Sequence, residues 1–284
     1  MKTQTRPGSR KSNDKPAINE THIHAVLLQK GGACKSTTAA NAAAALARMG
    51  YRVLIIDLDQ QADVSAWFGV QEEEAGRALL DVFTGEKALQ EIIRPTETPN
   101  LYLIPSSSWL MAANKVLAGE VGSETILRRK LTTLKGKDWD YIFLDCPPNL
   151  SVLTINALAA ADKVLVPVAT QYLALRGLAD LMKTLRFVQE RLNSDLKIGG
   201  ILPCRVDRRN RHTQDVLDQL TKTFKDKVFK CHIRENIRLA EAPSFGKTIF
   251  QYDPNSKGAH DYAELAKEIV RMDKKQKIRR KKQP

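Results

Sequence analysis

Short apolar runs rich in β-branched residues alternate with helix-like segments along most of the chain. Runs such as VLLQ and VLIID contain no polar alternation, which is typical of strands covered on both faces. A strand is predicted at each apolar run, at residues 24–29, 52–56, 101–104, 141–144, 163–168 and 197–202. This spacing favours a mainly parallel β-sheet, because parallel strands need a long connection between them.

Helices are predicted between the strands, where apolar residues recur at intervals of three and four. Residues 36–49 are largely Ala and Leu, and this segment stops at Gly50, a residue suited to a helix end. The same spacing predicts helices at 178–192 and 259–272. Strands joined by right-handed helical crossovers form a doubly wound α/β fold with helices on both faces of the sheet.

A chain of 284 residues suits one α/β domain, because single cores stop growing near about 250–300 residues. We predict this domain over residues 22–272, between a flexible polar and basic extension (1–21) and a basic tail (273–284). Residues 1–22 carry +3 and residues 273–284 carry +6 of the formal net charge of +13. These ends either keep the protein in solution or attract phosphate backbones or anionic lipid, and charge alone does not separate these alternatives.

Several classes of protein are disfavoured by composition. No run of about 18 apolar residues is present, so we expect no transmembrane segment. The polar first residues lack the apolar region of a secretory signal. The four cysteines lie far apart without CxxC spacing, which argues against a zinc site and for reduced thiols. A cytoplasmic location is therefore expected.

Residues 29–37 read QKGGACKST and join the first predicted strand to the Ala-rich helix. Backbone N–H groups and the helix dipole attract an anion at such a join, and glycines let the loop fold around phosphates. We predict that Lys35 reaches the β- and γ-phosphates of ATP and that the Ser36 hydroxyl binds Mg²⁺. An ordinary glycine turn before a helix is the alternative. The predicted nucleotide-binding residues of this loop are Lys30, Gly31, Gly32, Ala33, Cys34, Lys35, Ser36 and Thr37.

Lys30, directly before the glycine pair, resembles the signature lysine of the deviant Walker A loop in the ParA/MinD superfamily of P-loop NTPases. That resemblance implies a homodimer in which Lys30 reaches the partner's ATP. It covers residues 22 to about 271 and reaches a Soj-branch signature. The matching segments are VLIIDLDQQ (53–61), YIFLDCPP (141–148), VPV (166–168), LRGL (175–178), RLAEAPSFGK (238–247) and YDP (252–254).

Four aspartates lie in or just after the acidic motifs, and the resemblance gives three of them a role. Asp145 is expected to hold Mg²⁺ through water, Asp57 to support the magnesium shell, and Asp59 to position the attacking water. Asp63 matches no family residue. For an isolated Asp at a strand end, a turn or helix cap is the alternative. The predicted metal site is Ser36, Asp57 and Asp145, and the predicted catalytic residues are Lys30, Lys35 and Asp59.

The resemblance also places Asn236 where an amide reads the adenine edge, and it reveals three departures. Relatives often carry Pro before that Asn, whereas this chain has Arg234 and Glu235, and Gln60 replaces another Pro. Cys34 replaces the glycine before the P-loop lysine. If its φ is positive, the cysteine costs about 1–2 kcal/mol, and its side chain crowds the phosphates. We expect Cys34 to slow or trap the ATPase cycle. It is either a natural adaptation of the loop or a deliberate substitution, and we favour the second interpretation.

A cluster of basic residues late in the chain predicts binding to double-stranded DNA without sequence preference. Guanidinium groups match phosphate oxygens, and the resemblance places Arg209 and Arg238 on a DNA-contacting face of the ATP dimer. A solvated helix face with surface ion pairs is the alternative. The predicted DNA-binding residues are Arg205, Arg208, Arg209, Arg211, Arg238 and Lys247.

Together these features predict an ATP-dependent dimerising switch on the nucleoid that partitions chromosome or plasmid DNA. A ParB-like partner is expected to stimulate its slow hydrolysis, because nothing supplies an arginine finger in cis. Four other functions are alternatives to this partitioning switch: a MinD-like membrane ATPase, a positioner of protein cargo, a nucleotide-binding scaffold without turnover, and an iron–sulfur reductase. The tail has only Ile278 among its Lys and Arg residues, too little apolar surface for a MinD-like anchor.

Overall fold

A computed structural model describes residues 20–280 except 31, 33, 135–137, 171–173 and 208, without the side chains of 174–176 and 275–280. Within these residues, seven strands form one sheet in the order β3-β4-β2-β5-β1-β6-β7. The strands are β1 His22–Val26, β2 Val53–Asp57, β3 Arg94–Pro95, β4 Leu101–Ile104, β5 Tyr141–Asp145, β6 Lys163–Ala169 and β7 Lys197–Cys204.

All neighbouring strands are parallel except β3, which pairs with β4 in the antiparallel direction at the edge of the sheet. The six predicted strands are confirmed, with ends that differ by at most three residues. β3 was not predicted, because two residues carry no periodic pattern. Its Pro95 is tolerated because proline fits at a sheet edge, where one side needs no hydrogen-bond donor.

Helices connect the strands, and short 3₁₀ turns complete several loops. In the described part of the chain the α-helices are α1 Lys35–Arg48, α2 Asp63–Trp67, α3 Glu72–Ala75, α4 Ala78–Thr84, α5 Ala113–Val116, α6 Ile126–Thr132, α7 Val152–Ala160, α8 Ala174–Arg191, α9 Arg211–Phe224, α10 Ile237–Glu241, α11 Ile249–Tyr252 and α12 Lys257–Arg280.

Two hydrophobic cores lie on opposite faces of the sheet. In β2, Leu54 and Ile56 pack into one core, while Val53 and Ile55 pack into the other. The first core contains residues of α4, α6, α7, α8 and α9, and the second contains residues of α1 and α12. Helices therefore cover both faces, which confirms the doubly wound α/β fold and explains why the strands are apolar without alternation.

Helix α1 lies almost entirely in the interior, because its run of alanines lets it pack closely on the sheet. The Thr38 hydroxyl lies 3.4 Å from the Tyr262 hydroxyl of α12, which joins the two helices of this face. After α1, Gly50 adopts a φ of 86° and its N–H donates to the Ala47 carbonyl. The predicted helix end at Gly50 is thus confirmed by its left-handed conformation.

The last helix continues beyond the predicted domain end at residue 272. Asp273 is buried, and its carboxylate pairs with Lys163 of β6 and lies 3.4 Å from His24 Nε2 of β1. The boundary drawn between 272 and 273 therefore falls inside α12, because Lys, Arg and Gln are good helix formers even where they are solvated. Residues 1–19 of the predicted extension and 281–284 of the tail lie outside the described residues.

Over the residues that the structure describes, no helix is both long enough and apolar enough to cross a membrane.

Candidate functional site

The carboxyl ends of three central strands meet at the N-terminus of α1. Asp57 and Asp145 are the last residues of β2 and β5, and the two lie opposite each other in the register of the sheet. Asp145 is also paired in register with Val26, the last residue of β1. Because β1 leads into the glycine loop, the fold brings both carboxylates to the base of that loop. This edge of the sheet is the expected place for a ligand in a doubly wound fold.

The glycine loop ends at Cys34, which precedes α1 with φ 61° and ψ 25°. Among the described residues no side chain caps this helix end, so its first N–H groups are free to bind an anion. Lys35 is buried, while Lys30, Ser36 and Thr37 are half-buried. Two predicted loop residues, Gly31 and Ala33, lie outside the described residues.

The Asp145 carboxylate is fully buried, and neither oxygen has a hydrogen-bond partner among the described residues. Burial raises its pKa well above the usual range, and the nearby Asp57 raises it further, whereas Ser36 and Lys35 partly oppose this rise. A buried carboxylate without partners is costly unless a cation or donor compensates it. The site therefore fits a divalent cation with oxygen ligands such as Mg²⁺, held by Asp145 and Ser36.

Asp57 is also fully buried, but donors of the protein surround its carboxylate. The Ser65 N–H and hydroxyl donate to one oxygen over 2.9 and 2.7 Å, and the Asp59 N–H donates to the other over 3.1 Å. Burial raises the pKa of Asp57 to about 7 despite these bonds. Asp57 thus holds the loop after β2 in place, which suits a supporting role beside the metal site.

Asp59 lies on that loop, and two serines that the sequence analysis missed help to position it. The Asp59 side chain accepts a bond from the Gln61 N–H, and its carbonyl accepts one from the Ser106 hydroxyl over 2.6 Å. The Ser106 N–H donates to the Ser65 hydroxyl, which closes the network around Asp57. Partial burial raises the pKa of Asp63, and the charge of the nearby Asp59 raises that pKa further. No sequence signal marked either serine.

A pocket of about 610 Å³ opens beside the glycine loop. Asn236 lines it, and the Asn236 Oδ1 accepts a bond from the Arg238 N–H at the start of α10. Arg234 binds the nearly buried Asp261 of α12 through its guanidinium, with the Nη2–Oδ1 pair at 2.5 Å. This ion pair fixes the segment that carries Asn236, whereas sequence analysis had interpreted Arg234 as a departure from the family pattern and as part of the basic cluster.

Cys34 lines the same pocket, and its side chain packs against the core that contains Cys204, the last residue of β7. The positive φ expected at this position is confirmed. The pKa of Cys34 is lowered, chiefly through its interaction with Cys204, and burial opposes this effect. The loop cysteine therefore has a specific neighbour inside the protein.

Most of the predicted DNA-binding arginines form ion pairs with neighbouring acids. Arg209 binds Asp207 through two bonds of 2.8 and 2.9 Å and lowers the pKa of that carboxyl to about 2. Arg205 pairs with Glu235 over 3.1 Å, and it lines the nucleotide-sized pocket. Arg238 pairs with Glu241 and Asp253. Arg211 and Lys247 are exposed, and Arg208 lies outside the described residues.

The sheet edge combines an uncapped helix N-terminus, a buried lysine, an unpartnered carboxylate and a nucleotide-sized pocket. This combination defines a nucleotide-binding protein of the P-loop class. A family model described as an AAA domain matches residues 21–198. Sporulation initiation inhibitor protein Soj of Bacillus subtilis (strain 168) is 42% identical over 248 residues, which cover 87% of this chain and 98% of that protein.

A chromosome-partitioning ATPase Soj of Thermus thermophilus is 45% identical over 246 residues, 87% of this chain and 94% of that protein. Among solved structures, cobyrinic acid a,c-diamide synthase of Mycobacterium smegmatis with bound ADP and magnesium superposes with a TM-score of 0.79 at 33% identity, over 89% of this chain and 96% of that one. The chain belongs to the Soj/ParA family of P-loop partitioning ATPases.

Proposed function

We propose that this protein is a Mg-ATP-dependent dimerising switch that binds DNA without sequence preference and partitions chromosome or plasmid DNA. The observation that carries the proposal is the fully buried Asp145 carboxylate, which has no hydrogen-bond partner among the described residues and lies beside Lys35 and the uncapped N-terminus of α1. That arrangement fits a magnesium ion and the phosphates of a nucleotide better than a purely structural role.

Each residue of the site has a task in this proposal. The loop amides and Lys35 bind the phosphates, while Ser36 and Asp145 hold the magnesium ion, which neutralises phosphate charge when bound. Asp59 orients the attacking water, and the network through Asp57, Ser65 and Ser106 fixes Asp59. Asn236 reads the base in the pocket beside Cys34.

Lys30 is the residue that makes the switch a dimer. It lies half-buried in the loop that follows β1, directly before the glycine pair. By family resemblance its ammonium group completes the site of a second subunit, so that nucleotides lie in the interface. DNA binding by the dimer would then depend on ATP, and hydrolysis would release the DNA.

The proposal includes a ParB-like protein that stimulates hydrolysis on the nucleoid. Its support is the family relationship together with the absence, among the described pocket-lining residues, of an arginine placed to act on the γ-phosphate; Arg205 and Arg234 both pair with acids. In such slow phosphoryl transfer, a partner protein commonly accelerates hydrolysis.

Sedimentation velocity tests the proposal directly. With Mg²⁺ and a non-hydrolysable ATP analogue the mass should double, and without nucleotide the protein should remain monomeric. Lys30→Ala should bind a fluorescent ATP analogue yet stay monomeric, whereas Lys183→Ala, which removes an exposed lysine of α8, should dimerise normally. A monomer in every condition, or an equal effect of both substitutions, would disprove the dimeric switch.

A further inference from the structure

The last helix, α12, runs along the sheet from the nucleotide edge to the opposite edge. Near its start, Asp261 binds Arg234 beside the nucleotide pocket. Near its end, Asp273 pairs with Lys163, which is the first residue of β6. The glycine loop follows the carboxyl end of β1, and β6 is parallel to β1. Because Lys163 lies at the amino end of β6, α12 leaves the sheet at the edge opposite the nucleotide site.

Asp273 fixes this end of α12 through two partners in the sheet. His24 and Lys163 are paired in register on β1 and β6, and the buried Asp273 carboxylate pairs with Lys163 and lies 3.4 Å from His24 Nε2. Burial by itself raises the pKa of Asp273, but its interactions with His24 and Lys163 hold that pKa well below the usual range. Breaking a buried ion pair is strongly unfavourable, so the helix is held where it leaves the sheet.

The helix does not stop at this anchor. Its backbone continues over residues 274–280, which read KKQKIRR and contain five Lys or Arg and no acid. Lys274, directly after the anchor, is exposed. At 1.5 Å per residue, five charges in this segment correspond to one charge per about 2 Å of helix, and their positions fall on all sides of the helix axis. We call residues 274–280 the basic end of α12.

The spacing of these cations works against the helix that carries them. Like charges three or four positions apart weaken an isolated helix. Such pairs are Lys274 with Lys277, Lys275 with Arg279, and Lys277 with Arg280. The anchor at Asp273 offsets part of this repulsion, and a surface of opposite charge would remove it. A ligand with closely spaced negative charges is therefore the expected occupant.

We propose that the basic end of α12 is a preformed DNA-binding helix that contacts the phosphates of duplex DNA without ATP and without a second subunit. Duplex DNA carries one negative charge per about 1.7 Å, close to the spacing of the cations on the helix. Only Ile278 of this segment is apolar, so the segment lacks the apolar face that seats a helix in a lipid surface. The contact is to the phosphate backbone and reads no bases.

This helix lies apart from the DNA-binding residues predicted from the sequence. Arg238 closely follows Asn236, which lines the nucleotide pocket at the carboxyl edge of the sheet. The basic end of α12 leaves the sheet at the amino edge. A nucleotide-free subunit therefore keeps a weak contact with DNA when the contact that depends on the ATP dimer is lost. The inference extends the proposed function, but its test needs no ATP dimer.

Fluorescence anisotropy of several unrelated duplexes, with the full chain at low salt and without nucleotide, tests the inference. A triple variant, Lys274→Gln, Lys275→Gln and Lys277→Gln, removes three cations and keeps good helix formers. We expect its affinity for every duplex to fall at least about tenfold. The slope of log affinity against log salt should flatten by roughly 0.9 for each lost phosphate contact.

The matched control makes the same change in net charge elsewhere on the surface. It combines Lys115→Gln of α5 with Lys183→Gln and Arg186→Gln of α8, all at exposed positions. This variant should bind duplexes like the unmodified chain. An equal loss in the two triple variants would overturn the inference, because net charge alone would then explain the binding. Unchanged affinity in the variant of α12 would overturn it as well.

A substitution without charge tests the helix itself. Gln276→Pro keeps every cation but interrupts the helix, whereas Gln276→Ala preserves it. The proline variant should bind duplexes at least about threefold more weakly than the alanine variant, because a disordered segment loses conformational freedom on binding. Equal binding by the two variants would overturn the proposal of a preformed helix.

Vesicles that contain phosphatidylserine form the last arm of the experiment. Binding to these vesicles without binding to duplexes would overturn the inference and assign the segment to a membrane surface. A fluorescent ATP analogue should bind equally to all variants, which checks their folding. Failure of the unmodified chain to dimerise with ATP would refute the proposed function and leave this inference intact, because the duplex measurements use no nucleotide.

Discussion

The Ser65 hydroxyl donates a hydrogen bond of 2.7 Å to the Asp57 carboxylate, and the Ser65 N–H reinforces it over 2.9 Å. On the adjacent strand, the equally buried Asp145 has no such donor among the described residues. Two carboxylates in the same register of one sheet therefore have different tasks: one holds the protein together, and the other is available to a ligand. This contrast leads to the first prediction.

Replacing Asp57 by alanine should destabilise the protein, whereas replacing Asp145 by alanine should not. Asp57→Ala leaves the Ser65 and Asp59 N–H groups buried without an acceptor and should lower the free energy of unfolding by about 2–3 kcal/mol. Asp145→Ala removes a desolvated carboxylate and should leave stability unchanged or raise it by about 1 kcal/mol. Urea unfolding at neutral pH, without Mg²⁺ or nucleotide, measures both effects.

Magnesium supplies the control for this pair. Mg²⁺ should no longer strengthen nucleotide binding to the Asp145→Ala protein, while the Asp57→Ala protein should keep part of that dependence. An equal loss of stability in both variants would contradict the division of tasks.

The ion pair between Arg209 and Asp207 leads to a prediction about DNA. Because Arg209 is almost fully exposed, a phosphate can replace Asp207 as its partner. Arg209→Glu and Arg238→Glu should weaken binding to all duplexes alike, whereas Asp207→Asn should strengthen it by removing the competing charge. Fluorescence anisotropy with several unrelated duplexes, in the presence of a non-hydrolysable ATP analogue, checks this.

Salt provides a second measure of the same surface. If the dimer neutralises about six phosphates, log affinity should fall with log salt at a slope near −5. Dimerisation with the ATP analogue should be unchanged in all three variants. Loss of binding at one duplex only would point to base recognition and contradict the prediction.

The positive φ of Cys34 predicts the effect of restoring glycine. A strain of about 1–2 kcal/mol corresponds to a factor of roughly 5–30, so Cys34→Gly should raise nucleotide affinity, turnover or both by about that much. The partner-stimulated ATPase rate at saturating DNA is the measurement. Equal or lower activity of the glycine protein would mean that neighbouring residues have adapted the loop to cysteine.

The pairing of Arg234 with Asp261 predicts a role in base selection. Asp261→Ala should release Arg234 and loosen the segment that ends at Asn236, so the preference for ATP over GTP should fall by about threefold to tenfold. Competition of unlabelled nucleotides against a fluorescent ATP analogue measures that preference. Glu264→Ala, which removes an exposed ion pair on the same helix, is the control. Unchanged selectivity in the Asp261 variant would separate the ion pair from base recognition.

Local sequence was sufficient for the six parallel strands, for α1 and for the glycine loop, but not for the two-residue β3. Each of these features depends on residues close together in the chain: an apolar run, a run of alanines that ends at Gly50, or a lysine and a serine at the start of a helix. The acidic motifs could also be recognised, because each directly follows an apolar strand. The two cores on opposite faces of the sheet follow from the same unbroken apolar runs.

Only the tertiary structure showed that Asp57 is surrounded by donors and Asp145 is not, since the donors to Asp57 come from the loop after β2 and from α2 and not from its own strand. The same holds for the burial of Asp273 against Lys163 and His24, which places the predicted tail boundary inside α12. It also holds for the packing of Cys34 against the core that contains Cys204. These relationships join residues far apart in sequence, and their energies depend on burial and distance, quantities that no local pattern contains.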